Sequence, residues 1–160
     1  MLTADAERLS FLLRVVKKEI HHLDYALNQA FKGGLTLEQI VALDQEPDLA
    51  LKLEAFTSRF SRLQDTLGDK LLPALLQALE EPKAPLLTNL NKAETYGWLE
   101  STEDWISLRQ LRNQMVHEYI EDAQTFFDAV MTAKQETNTL KQFALNLEHQ
   151  TEKRLNQKTT

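Results

Sequence analysis

The sequence contains no cysteine, which excludes disulfides, thiolate metal sites and a cysteine nucleophile. It has only 4 Gly and 4 Pro, and because both residues break helices, their scarcity favours helix. No apolar run approaches the roughly 18 residues that a membrane span needs. The first ten residues are acidic and polar, where a signal peptide would be basic and then apolar. We therefore expect a cytoplasmic protein without a membrane segment.

Several motifs of common enzyme classes are also missing. The sequence has no phosphate-binding glycine loop, no G-x-S-x-G and no H-E-x-x-H, so kinase, serine hydrolase and metalloprotease functions have no support. His21, His22 and Asp24 do not form the i, i+4 pair that helical metal sites use, and we expect no metal site and no cofactor. The net charge of −6 gives no general attraction to phosphate, so any nucleic-acid contact must be local.

The N-terminal part of the sequence predicts one long helix and a short connector. Apolar residues recur from Leu9 to Ala30 with steps of three and four, which is the spacing of one helical face, until Gly33 and Gly34 end the pattern. Thr36 with Gln39 three residues later forms a capping box for a short helix that ends before Pro47. The connector 36–44 receives no further role from the sequence.

The rest of the chain predicts four more helices. Apolar spacing resumes at Asp48 and continues to Leu79, and Pro73 should kink or break this second long helix between Gly68 and Pro73, because proline lacks an amide donor. The other expected elements are a third helix at 86–97, a fourth capped by Ser101 or Thr102 and ending near Tyr119, a fifth beginning near Asp122, and a frayed polar tail at 153–160. The predicted fold is all-α, an up-and-down bundle of about four to five main helices forming a single domain over residues 1–160.

Arg112 occupies an unusual position on the fourth helix. On a helical wheel the apolar residues from Trp105 to Ile120, Val116 among them, fill one half, and Arg112 lies near the middle of that half. A buried guanidinium is costly unless it is paired or lines a polar cleft. Two explanations are open: an ion pair with an acid on a neighbouring helix, or a functional residue in a cleft.

Other polar residues surround Arg112 on this helix. Asn113 and His117 lie one turn apart on the flank, and Tyr119 shares the face of Arg112. Arg112 and His117 are about 140° apart on an ideal helix, so they meet at one ligand only through the reach of arginine, a distorted helix end or a second subunit. A symmetric dimer is the simplest of these arrangements.

The segment RNQMVHEY at Arg112–Tyr119 resembles the signature of the HEPN superfamily, and His117-x-Tyr119 extends the resemblance to the HepT toxins. The resemblance implies a metal-independent endoribonuclease that dimerises through the motif face. His117 would be the acid or base, Arg112 would hold the scissile phosphate, and Asn113 would support one of them. It also implies a toxin–antitoxin pair, in which a nucleotidyltransferase of the MntA type attaches AMP to Tyr119.

A second interpretation is a helical protein that binds a nucleotidyltransferase or presents its substrate and cleaves nothing, since related HEPN proteins have that role. The acids between residues 101 and 122 outnumber the two arginines there, which is unfavourable for RNA binding. Trp98 and Trp105 are expected to pack in the core rather than to stack on bases.

Overall fold

A computed structural model describes the backbone of residues 3–158 and the side chains of residues 3–117 and 121–157. This part of the chain is helical and contains no strand, which confirms the all-α prediction. The helices are α1 (Ala4–Phe31), α2 (Leu37–Val41), α3 (Pro47–Asp65), α4 (Leu72–Ala78), α5 (Leu86–Thr95), α6 (Thr102–Glu121) and α7 (Ala123–Lys158). A 3₁₀ turn covers Leu43–Gln45, and a π-helical segment covers Thr66–Leu71 between α3 and α4. None of the helices described here is long and apolar enough to cross a membrane.

Helices α1 and α3 run antiparallel. The Phe31 ring at the end of α1 meets Phe56 in an edge-to-face contact, with ring centroids 5.3 Å apart. Earlier in α1, Glu19 accepts a hydrogen bond of 2.9 Å from the Thr66 hydroxyl, just beyond the end of α3. Because late residues of one helix contact earlier residues of the other, the two helices have opposite directions.

Helix α7 runs antiparallel to α1 on another side of the bundle. Lys17 is paired with Glu148 at 3.4 Å, and Asp24 with Lys141 at 2.8 Å. An increase of seven in residue number along α1 therefore corresponds to a decrease of seven along α7, and seven residues are about two helical turns. The long helices thus follow the up-and-down arrangement that the sequence predicted.

Side chains at the helix starts explain where α2, α6 and α7 begin. The predicted capping box of Thr36 and Gln39 is present. At α6 the cap is Ser101, whose hydroxyl accepts a 3.2 Å hydrogen bond from the Asp104 amide. The Asp122 carboxylate accepts the amides of the second and third residues of α7 at 3.1 and 3.2 Å. Each cap satisfies amides that a helix start leaves without a partner.

The π-helical segment replaces the kink or break predicted before Pro73. The amide of Leu72 donates to the carbonyl of Leu67, five residues earlier, and Pro73 has no amide to offer to Gly68. The helix widens here and continues into α4. Gly68 lies against α6, because a side-chain Cβ built on it would be 3.1 Å from Cζ2 of Trp105. A larger residue at position 68 would push against the start of α6.

Large aromatic side chains hold α6 in the core. Trp105 is buried and meets Phe143 of α7 edge-to-face, with ring centroids 4.9 Å apart. Trp98, also buried, packs against Tyr96 at 4.9 Å between ring centroids. The expectation that both tryptophans serve packing agrees with these contacts. The position of α6 is therefore set by apolar burial, which favours folding at roughly 25 cal/mol per Å².

The C-terminal tail differs from the prediction. We expected fraying from Lys153, whereas α7 continues to Lys158. The reason is a late contact with α4: Thr151 is buried, and Arg154 donates a 2.7 Å hydrogen bond to the carbonyl of Ala78. That contact satisfies a carbonyl at the end of α4 and holds the last turns of α7 against the bundle.

Candidate functional site

The motif helix α6 presents one buried face and one open face. Among its described side chains, the buried apolar ones are Trp105, Leu108, Leu111 and Met115. Val116, which the helical wheel assigned to the same apolar half, is 56% exposed. It lies at the edge of a groove between α3 and α6, where the two helices leave room above Met115. The buried stripe is therefore narrower than the predicted half of the wheel.

Arg112 forms an ion pair with Asp65, the last residue of α3. The contact joins Nη1 of the guanidinium to Oδ1 of the carboxylate. The side chains are 26% and 40% exposed, so the pair lies at the surface of the groove rather than in the core. The ion pair that the sequence offered as one explanation is therefore present, and Arg112 also lines a groove.

A second ion pair fixes the register between the same two parts of the chain. Arg109, one turn before Arg112, is 3.7 Å from Asp69, one turn after Asp65. The later arginine meets the earlier aspartate, so α6 runs antiparallel to α3 and the π-helical segment. The two pairs form a short ladder that crosses from α6 to the end of α3.

The groove beside this ladder has a volume of about 440 Å³. Its lining combines two arginines, two acids, three hydroxyl residues and two apolar side chains: Arg62, Arg112, Glu54, Asp65, Thr57, Ser58, Ser61, Met115 and Val116. The Ser61 hydroxyl donates to the Thr57 carbonyl at 2.8 Å, and the Thr57 hydroxyl points to the Met115 sulfur at 4.0 Å. Guanidinium and hydroxyl groups are the side chains that bind phosphate oxygens, so the groove suits an anionic ligand with an apolar part.

His117 and Asn113 lie outside this groove. Both side chains are exposed, and neither is among the groove-lining residues. His117 makes no hydrogen bond or ion pair with any residue that the structure describes. One chain therefore does not bring His117 to the groove that contains Arg112, in agreement with the poor convergence expected on one helix.

Tyr119, the residue predicted to be modified, lies outside the described side chains. Its backbone belongs to α6, which ends at Glu121. Asp122 follows directly, and its hydrogen bonds from the Thr125 amide and hydroxyl hold its pKa below the usual range. The turn between α6 and α7 is therefore anchored by a carboxylate that stays ionised at neutral pH.

A partly buried glutamate lies on α1, where it contacts the residue after the end of α3. Burial raises the pKa of Glu19, and the Thr66 hydrogen bond opposes that rise in part. Three cations, Lys70, Arg62 and Arg59, lower it further but do not cancel the burial effect. Arg62 therefore has two roles: its charge lowers the pKa of Glu19, and its side chain forms part of the groove wall.

The sequence interpretation missed Asp65 and Arg62. A signal for Asp65 was present, because Asp65 and Asp69 are four residues apart and Arg109 and Arg112 three apart, spacings that put each pair on one helical face. The match between the two faces depends on how α3 packs on α6. Arg62 carried no signal, since a single arginine on an amphipathic helix is usually a solvated residue.

A larger groove of about 660 Å³ lies between α4 and α5 and contains none of the predicted site residues. At its edge Glu80 adopts a left-handed φ of 63°, which turns the chain after α4. Glu81 then accepts a hydrogen bond from the Tyr96 hydroxyl and lies 3.4 Å from the Lys92 amine. These contacts order the turn between the two helices.

The described side chains include no group of three or more His, Asp or Glu residues that could hold a metal ion. Comparison of the chain with protein-family models, with curated proteins and with solved structures finds no match.

Proposed function

We propose that this protein is a HEPN ribonuclease toxin that cleaves RNA without a metal ion and acts as a homodimer. The observation that carries the proposal is the setting of Arg112, which reaches an open groove of suitable volume while the motif histidine stays exposed further along the same helix. A guanidinium in an open groove can meet a phosphate. An exposed histidine can reach a large substrate that extends beyond the groove.

The reaction would be an internal transesterification. His117 removes the proton of a ribose 2′-hydroxyl, the 2′-oxygen bonds to phosphorus, and the bond from phosphorus to the 5′-oxygen breaks. The 5′-oxygen takes a proton from a protonated His117 or from water, so the products are a 2′,3′-cyclic phosphate and a 5′-hydroxyl. Arg112 stabilises the charge on the phosphorane oxygens, and Asn113 supports the phosphate or the imidazole. Histidine suits this role, because its ordinary pKa is about 6.5.

The homodimer follows from the geometry of α6. Arg112 lines the groove beside α3, whereas His117 lies outside it, and a second copy would supply the His117 that one copy lacks at its groove. Light scattering at micromolar concentration should therefore give twice the chain mass of 18.4 kDa. A monomer without any partner would argue strongly against a shared site.

The enzyme proposal is tested by cleavage of RNA with purified protein in EDTA. His117→Ala should abolish cleavage, whereas His149→Ala, which removes another exposed histidine far along α7, should leave it unchanged. A substrate with 2′-deoxyribose at the cleavage position should resist. If wild-type protein cleaves no cellular RNA, and His117→Ala is as toxic on expression as wild type, the enzyme proposal is wrong.

The proposed regulator is an MntA-like nucleotidyltransferase antitoxin that attaches AMP to Tyr119. The added phosphodiester would carry a negative charge onto the helix that holds Arg112 and compete with substrate phosphate. Co-expression followed by intact-mass and peptide mass spectrometry should show AMP-sized increments that Tyr119→Phe removes. Tyr25→Phe is the matched control, because Tyr25 is an exposed tyrosine on α1, away from the motif helix. Neutralisation without modification would indicate a steric antitoxin.

A second candidate is a non-enzymatic partner of a nucleotidyltransferase. It is favoured by one observation: within a single chain Arg112 is paired with Asp65, and His117 does not line the groove. Expression of this chain alone separates the candidates. A toxin arrests growth and a binding partner does not, although both should co-purify with a nucleotidyltransferase.

A further inference from the structure

We propose that Asp65 occupies the anion site of Arg112 in the free chain, and that a phosphodiester of single-stranded RNA replaces this carboxylate on binding. The inference rests on the proposed function for the identity of the ligand. Asp65 is then an internal competitor: its carboxylate binds the Arg112 guanidinium that the phosphate needs, and this lowers the affinity for RNA.

The geometry of the pair supports a displaceable contact. One guanidinium nitrogen of Arg112 meets one carboxylate oxygen of Asp65, rather than both nitrogens meeting both oxygens. Asp65 is also the one hydrogen-bond partner of Arg112 among the residues that the structure describes. No other described residue takes the remaining guanidinium hydrogens, so they are open to a ligand in the groove as far as these residues are concerned. An arginine prefers a planar two-point contact when one is offered.

The exposure of the pair makes the exchange inexpensive. With 26% of the Arg112 side chain and 40% of the Asp65 side chain exposed, water reaches both charges. Ion pairs in such positions contribute little, because solvent screens them and the free ions are well hydrated. A released Asp65 would turn to water instead of becoming a buried, unpaired charge.

A second arginine in the groove gives the phosphate a further partner. Arg62 lines the same groove and forms no ion pair with a described residue. The charge of Arg62 also acts on Glu19, but Glu19 is half-buried and its hydrogen-bond partner is the Thr66 hydroxyl. On binding, the contact between Arg112 and the Asp65 carboxylate would therefore be lost, and the phosphodiester would gain contacts to the guanidinium groups of both Arg112 and Arg62.

The bundle does not depend on Asp65 to hold α6. Trp105 is packed against Gly68 and Phe143, and Arg109 is paired with Asp69 one turn away. These contacts would keep α6 in register when Arg112 leaves Asp65. The Asp65–Arg112 pair in the groove can therefore break, while the Asp69–Arg109 pair outside the groove stays formed.

The test measures binding of a fluorescein-labelled, single-stranded 2′-O-methyl RNA, which cannot be cleaved through its 2′-oxygen. Fluorescence anisotropy is recorded at several KCl concentrations for wild type and Asp65→Asn. We expect roughly two- to fivefold tighter binding for Asp65→Asn at low salt, the size expected when a weak competing ion pair is removed. The plot of log affinity against log salt should also be steeper for Asp65→Asn, because in wild type added salt weakens the competing Asp65–Arg112 pair and so offsets part of the loss of RNA binding.

Two matched variants separate this effect from a general loss of negative charge. Asp69→Asn removes the same charge from the neighbouring rung, which lies outside the groove. Glu54→Gln removes a charge inside the groove without freeing Arg112. Both should tighten binding less than Asp65→Asn and should leave the salt slope nearly unchanged. In an Arg112→Ala background, Asp65→Asn should have no additional effect beyond that of Asp69→Asn.

The proposal is overturned if Asp65→Asn equals Asp69→Asn, if it weakens binding, or if neither wild type nor Asp65→Asn binds the probe. Circular dichroism checks that the variant is folded, and Asp65→Ser replaces it if it is not. The outcomes remain distinct from those for the ribonuclease. If Asp65→Asn binds RNA more tightly but wild type cleaves no RNA, this inference stands and the ribonuclease proposal is rejected. If wild type cleaves RNA but Asp65→Asn binds no more tightly than Asp69→Asn, the ribonuclease proposal stands and this inference is rejected.

Discussion

The strength of the Asp65–Arg112 ion pair can be measured directly. The perturbation is a double-mutant cycle of Asp65→Asn, Arg112→Ala and both together, with the free energy of unfolding as the readout. Because the side chains are 40% and 26% exposed, we expect a coupling energy of about 0.5–1 kcal/mol, the upper part of the range for surface pairs. A pair that was fully buried would cost roughly 3–5 kcal/mol when one partner was removed.

The single substitutions should differ from each other. Arg112→Ala also removes the aliphatic part of a side chain that is only 26% exposed, so it should destabilise by about 1–2 kcal/mol in total. Asp65→Asn keeps the volume of the side chain and leaves a neutral acceptor for the guanidinium. It should cost about 1 kcal/mol or less.

The assay is urea denaturation followed by circular dichroism at 25 °C, with the same cycle on Arg109 and Asp69 as the control. That pair is longer, at 3.7 Å, and its side chains are 37% and 46% exposed, so its coupling should be smaller. Both couplings should fall in 0.5 M NaCl, where screening is strong. A coupling above about 2 kcal/mol for Asp65–Arg112, unchanged by salt, would show a structural brace and refute the reasoning.

Three further predictions use the same denaturation assay. Asp122→Ala should destabilise the protein at neutral pH, and the difference should vanish as pH falls through the lowered pKa of Asp122, where the wild-type carboxylate is also lost as an ionised cap. Glu19→Gln should stabilise at pH 7 and progressively less at lower pH, because the raised pKa of Glu19 makes its contribution favourable only while it is protonated. Thr151→Val should stabilise by about 1 kcal/mol, because the buried Thr151 hydroxyl has no hydrogen-bond partner in the described structure.

The helices were predictable because their signals are local. The capping box at Thr36, the glycines at 33 and 34 and the apolar spacing of α1 and α3 depend on residues within a few positions of each other, and each appears as predicted. The π-helical segment was not predicted, because a proline is equally compatible with a break, a kink or a widened turn. The choice depends on how Gly68 packs against Trp105, a contact between residues far apart in sequence.

The candidate site was predictable only in part. The position of Arg112 on the apolar side of α6 indicated that it needed a partner or a cleft, and the structure supplies both. The identity of the partner was beyond the sequence, since Asp65 is 47 residues away and many acids are candidates. Val116 was assigned to the wrong environment for a related reason. A helical wheel gives directions around one helix but not the gap that its neighbour leaves.

The Asp65–Arg112 and Asp69–Arg109 ion pairs have different surroundings, and this difference links the stability of the fold to its proposed function. Asp69 and Arg109 connect α6 to the π-helical segment outside the Arg112 groove, so a ligand in that groove does not compete for them. Asp65 and Arg112 make the same kind of contact at the groove wall, where a phosphate can reach the guanidinium. An arginine that was free would bind anions of many kinds, and one that was deeply paired would bind none. A weak pair in an open groove instead requires a ligand that brings more than one contact, which a phosphodiester chain does and a single small anion does not.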